Sequence, residues 1–102
     1  MLVQTTKPKY IFFADPGHAW LRVKRQELID LSIEHRITPF SYERGEYVYL
    51  EEDSDAGTFL HAKFGKQVSF RELEALGVLA DRHCNGSSAI RSYNHYNATN
   101  VY

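Results

Sequence analysis

Hydrophobic and polar positions alternate with the two-residue period of a strand at several places along the chain. Lys9–Ala14 (KYIFFA) is rich in strand formers, and in Ala19–Val23 Leu21 and Val23 point one way while Trp20 and Arg22 point the other. Between them Asp15-Pro16-Gly17-His18 reads as a turn, so the two runs pair as a hairpin or lie close in one sheet. A second hairpin has flanks Phe40-Ser41-Tyr42 and Tyr47-Val48-Tyr49-Leu50 around Glu43-Arg44-Gly45-Glu46. Its second strand carries bulk on both sides, Val48 and Leu50 on one and Tyr47 and Tyr49 on the other. Such a strand is central, or has one face under a helix and the other under a partner.

The period changes at Lys24–Ile33, where Leu28 and Leu31 share a helical face with Ile29 near it. Ile37, in the connector that follows, is expected in the core. Ser54 or Asp55 caps a second helix, Ala56–Lys63, with Phe59 and Leu60 inward and Gly65 as a left-handed terminator. Lys66–Phe70 reads as a short strand. Arg71–Ala80 has helix propensity, with Leu73 and Leu76 on one face and Gly77 near its end. His83–Ser88 is loop material containing an Asn-Gly turn pair, and Ala89–Tyr93 reads as a last strand. Residues 1–8 and 94–102 are expected to be loose ends, unless Tyr96 and Tyr102 draw the tail back. The class is α+β: one domain over residues 1–102, a small mainly antiparallel sheet of four to five strands and two or three short helices.

Composition narrows the function classes. With 102 residues there is room for one domain. Lys plus Arg number 12 against 13 for Asp plus Glu, a formal net charge of −1, so no global basic field gathers nucleic acid or anionic lipid. A single cysteine forms no internal disulfide and no Cys-rich zinc module. No apolar run is long enough to span a bilayer, and no apolar segment of the signal-peptide kind follows Lys7 and Lys9. A cytoplasmic protein is the expectation. Asn85-Gly86-Ser87 and Asn97-Ala98-Thr99 are then chance glycosylation triplets.

The densest chemical feature is the acidic run Glu51-Glu52-Asp53-Ser54-Asp55. Carboxylates two apart on an extended segment can chelate a hard cation, but the run lacks the Gly and distal Glu of a calcium loop. A strand exit, a helix cap and a solvated acidic patch explain it as well. His83 and Cys84, with Asp81 and His95, have no zinc-site spacing, and no cofactor or metal is expected. An acid–base cluster would need His18 as base with Asp15, Glu51 and Asp53 around it, as in a small metal-dependent or acid–base hydrolase. Against it, an Asp at that position commonly accepts hydrogen bonds from its own turn. Arg22, Lys24 and Arg25 follow Trp20 as a local basic patch suited to stacked bases, yet Glu27, Asp30 and Glu34 follow at once.

The segments FADPGHAWLRV (13–23), SYERG (41–45), YLEEDSDAG (49–57) and IRSY (90–93) resemble a family of small uncharacterised proteins encoded by tailed phages, prophages and plasmids. The likeness spans residues 10–93. Trp20, Arg22, Tyr42, Gly45, Tyr49, Glu51, Glu52, Asp53, Asp55, Ile90, Arg91 and Tyr93 carry it, and Arg71–Cys84 departs from it most. The family has no established activity, so the resemblance transfers no catalytic residue. It implies a non-enzymatic accessory protein that occupies a host or phage protein surface, including that of a defence complex, as an anti-CRISPR does. The expected contact residues are Trp20, Arg22, Tyr49, Glu51, Glu52, Asp53, Asp55, Arg91 and Tyr93. A homodimer is one form of partner; nucleic acid is the less favoured one.

Overall fold

Alternation in the first two runs closes a hairpin. In the computed structural model, which describes residues 9–65 and 69–98, β1 (Tyr10–Ala14) lies antiparallel to β2 (Ala19–Lys24), with Phe12 opposite Leu21 and Ala14 opposite Ala19. The chain then forms α1 (Arg25–Asp30), a loop that buries Ile33 and Ile37, and a second hairpin of β3 (Tyr42–Arg44) and β4 (Tyr47–Glu51). This hairpin is tighter than expected. Its first strand begins at Tyr42 rather than Phe40, and its loop is Gly45-Glu46, with Gly45 at φ 58° as a two-residue turn requires. Helix α2 (Asp55–Phe64) ends at Gly65 with φ 74°, and α3 (Phe70–Ala75) is capped by the Ser69 hydroxyl.

Two elements differ from the reading of the sequence. Leu79–His83 is a strand, β5, and pairs parallel with β1 instead of extending a helix or looping. Ala89–Ser92 is a 3₁₀ turn rather than a strand, and the pairing passes to β6 (Asn94–His95) on the edge of β3. The result is an α+β fold with three α-helices and a six-stranded, mostly antiparallel sheet of order β5-β1-β2-β4-β3-β6. Ser69 and Phe70 belong to the cap and first turn of α3; the rest of the strand expected over Lys66–Phe70 lies outside the described residues. So do the loose ends expected over 1–8 and the tail beyond Ala98. Tyr96 does fold back: it is buried, and its hydroxyl donates to the Glu34 carbonyl at 2.6 Å. Among the described residues no helix is long and apolar enough to cross a membrane.

The sheet has two covered faces. Leu21, Val23, Val48 and Leu50 point to the helices and meet Leu28, Phe59, Leu60 and Leu73 in the main core. Ile29 and Leu76, placed on buried faces by spacing alone, are exposed, because α1 and α3 are too short to turn a second row inward. The opposite sheet face carries Trp20, Tyr49, Phe13, Tyr42 and Tyr47, closed over in part by Ile90 and Tyr93 from the 3₁₀ segment. β4 therefore lies in the middle of the sheet with bulk on both sides, and the chain itself supplies both covers.

Candidate functional site

The aromatic face is organised by arginines. Arg22 lies with its guanidinium carbon 4.3 Å from the Tyr47 ring centre, Arg44 5.0 Å from Tyr93, and Arg91 5.4 Å from Trp20. These are cation–π distances, and each covers a ring that would otherwise face water. Trp20 is only 2% exposed and Tyr49 7%, which corrects the expectation that they form contact surface: Ile90, folded over from the 3₁₀ segment, shares their cluster. Burial and the neighbouring Tyr93 push the Tyr49 hydroxyl above its usual pKa. Arg22 and Tyr93 are half-buried and Arg91 remains exposed at the rim.

Asp15 joins the N- and C-terminal parts of this face. Its carboxylate accepts from Arg91 Nε (2.6 Å) and Nη2 (2.9 Å), from Ser88 N, and from Gly17 N and His18 N of its own turn. Arg91, then Ser88, hold the carboxyl well below the ordinary carboxylate range. A depressed folded-state pKa stabilises the fold above the unfolded value of about 4, and that contribution disappears as pH falls below it. Urea unfolding from neutral to acidic pH should therefore show wild type losing more stability than Asp15→Asn in acid. Parallel pH profiles would show that the ion pair does not couple to folding.

The same contacts bear on one member of the acid–base cluster, Asp15. Both Asp15 oxygens are taken by Arg91 and backbone N–H groups, so Asp15 does not orient the His18 imidazole. Asp55 is also removed from the acidic surface. It is 1% exposed, and its Oδ2 accepts from Thr38 N (3.0 Å), Thr38 Oγ1 (2.7 Å) and Ser41 Oγ. It closes the loop before β3 instead of capping its own helix, where Ser54 makes no side-chain cap bond either. Glu51, Glu52 and Asp53 stay toward solvent, the first two half-buried. Burial, then Asp53 and Glu51, raise the Glu52 pKa. Asp55 can thus share no ion with Glu51 and Asp53, and among the described residues no group of three His, Cys, Asp or Glu is placed to hold a metal.

Beside the clamp lies an open cleft of about 270 Å³, lined by His18, Trp20, Phe40, Tyr42, Glu51, Arg91 and His95. All four motif-bearing segments contribute to it: His18 and Trp20 from the first, Tyr42 from the second, Glu51 from the third and Arg91 from the fourth. His95 stacks on Tyr42 (centroids 4.7 Å apart), and its Nδ1 pairs with the Pro39 carbonyl. Phe40 stands at the lip, 74% exposed. The Asp55 network sets two of these walls. Thr38 Oγ1 accepts from Phe40 N, and Ser41 Oγ accepts from Glu51 N. Phe40, Tyr42 and His95 are not among the expected contact residues; Tyr42 enters only through the SYERG segment and His95 only through the zinc reading, and an apolar residue in a polar loop was the available signal for Phe40. Of the basic group, Arg22 and Lys24 alternate with Trp20 along one strand face, whereas Arg25 turns away to Glu43.

Comparison with protein-family models, curated proteins and solved structures finds no match.

Proposed function

We propose that the protein is a non-enzymatic accessory protein of a phage or other mobile element that binds a host protein at the cleft end of its aromatic sheet face. The observation that carries this reading is the convergence of the four motif segments on one solvent-open cleft. Its lining joins an exposed Phe, an Arg and the Glu51 carboxylate beside a buried Trp, and aromatic and Arg side chains are the groups enriched at protein interfaces. The resemblance to phage and plasmid proteins supports a host partner, a defence complex among them. Glu51, Glu52 and Asp53 remain contact residues; Asp55, Trp20 and Tyr49 act from beneath by holding the rim in place.

Nucleic-acid association is a second reading, favoured by Arg22, Lys24, Arg44 and Arg91 on one face. It is weaker, because Tyr47, Tyr93 and Trp20 already carry arginines on their rings and have less surface to offer a base. Affinity capture from host lysate, with and without nuclease, separates the two. Nuclease-resistant capture of one protein, lost on reversal of Glu51, Glu52 and Asp53 to Lys but kept in Glu72→Lys on the helical side, is the expected result. Capture indifferent to the triple reversal contradicts the proposal, and capture lost to nuclease transfers the case to nucleic acid.

A further inference from the structure

We infer that the cleft receives an arginine side chain of the partner; this rests on the protein-binding reading above and names the group that reading leaves open. Charge is the first argument. Asp15 and Arg91 neutralise each other in a two-bond pair. Glu51, Glu52 and Asp53 make no ion pair among the described residues. Of these, Glu51 lines the cleft as a carboxylate with no ion pair among the described residues, and Glu52 and Asp53 follow it directly in the chain. A cation beside them lowers the electrostatic energy and an added carboxylate raises it.

Shape is the second argument. The ring left open to a guest is Phe40, 74% exposed, with Glu51 lining the same cleft; Trp20 already carries Arg91 and Tyr42 carries His95. Glu51 Oε2 accepts from Asp53 N at 3.0 Å, which fixes the carboxylate and leaves Oε1 without a partner among the described residues. A flat guanidinium can stack on a ring and donate in plane to such a carboxylate at once. A lysine ammonium is more strongly hydrated and has no plane to stack. Arg91 gives the cleft a donor for anions as well, but two of its nitrogens are already committed to Asp15.

The test needs no partner. N-acetyl-argininamide, N-acetyl-lysinamide and sodium acetate are titrated separately into the isotope-labelled chain. NMR follows the Trp20 indole N–H and the Glu51–Asp53 amides. Saturable shifts with the arginine probe are expected, with affinity about tenfold or more lower for the lysine probe and for Glu51→Gln, as loss of a charge-assisted pair predicts. Glu51→Gln keeps an oxygen for Asp53 N, and unchanged spectral dispersion reports that it folds. Absence of saturable arginine shifts, identical titration of Glu51→Gln, or tighter binding of acetate would each overturn the inference. None of these results alters the lysate capture, so failure here is distinguishable from failure of the protein-binding reading.

Discussion

Asp55→Ala should destabilise the protein by about 3–5 kcal/mol in urea unfolding, since it strands three donors around one buried oxygen. Those donors are Thr38 N, Thr38 Oγ1 and Ser41 Oγ, and all three converge on Oδ2, while Oδ1 is buried without a partner among the described residues. A domain of this size has only about 5–15 kcal/mol in hand, so the variant is expected near its folding threshold. Asp55→Asn is a sharper comparison. Its carbonyl oxygen can replace Oδ2 and keep every donor satisfied, at the cost of one buried N–H₂. It should lose about 1–3 kcal/mol. Equal losses in the two variants would show that charge, rather than the count of hydrogen bonds, dominates at this site. Because Thr38 and Ser41 also receive Phe40 N and Glu51 N, a folded Asp55→Asn should keep the cleft walls in place.

The second large effect is at Arg25 and Glu43. Glu43 points from β3 to the core side with a fully buried side chain, and Arg25 is 13% exposed. Their contact is 2.7 Å, Arg25 also donates to the Gly45 carbonyl, and Asn97 N donates to the other carboxylate oxygen. Arg25→Ala leaves a charge in the interior with part of its shell removed, and about 3–5 kcal/mol should be lost. Desolvating the pair offsets much of its attraction, so replacing both partners by apolar residues is less harmful than removing one. The double variant Arg25→Met/Glu43→Leu should therefore be more stable than Arg25→Ala, again by urea unfolding. A double variant no more stable than the single one would mean that the hydrogen bonds to Gly45 and Asn97, rather than the charges, hold this corner.

What the sequence revealed and what it hid follow one physical division. Local signals were readable: the alternation that sends Leu21 and Val23 to one side and Trp20 and Arg22 to the other, and the glycines at 45 and 65 with positive φ. Contacts between distant parts of the chain were not. Leu79–His83 has one buried residue among charged neighbours, so its strand character comes from parallel pairing to β1 and leaves little trace in its own composition. Asp55 looks like a helix cap until a loop 14 to 17 residues upstream supplies three donors. Trp20 and Tyr49 look like contact residues until Ile90 closes over them. Asp15 meets Arg91 across 76 residues, and no local pattern announces that pair. The site was readable as a set of motifs, whereas the cleft they build depended on these distant contacts.

The proposed function requires that the cleft, rather than some other part of the surface, makes contact with the partner. The most direct measurement is partner capture by Phe40→Ala and Glu51→Lys, set beside Glu72→Lys, with folding of each checked by urea unfolding. Phe40 is largely exposed at the lip, so its truncation should leave stability nearly unchanged while capture falls about tenfold or more if it is an interface anchor. Glu51→Lys should act in the same direction and Glu72→Lys should not. Full capture by folded Phe40→Ala and Glu51→Lys proteins would contradict the cleft as the binding site.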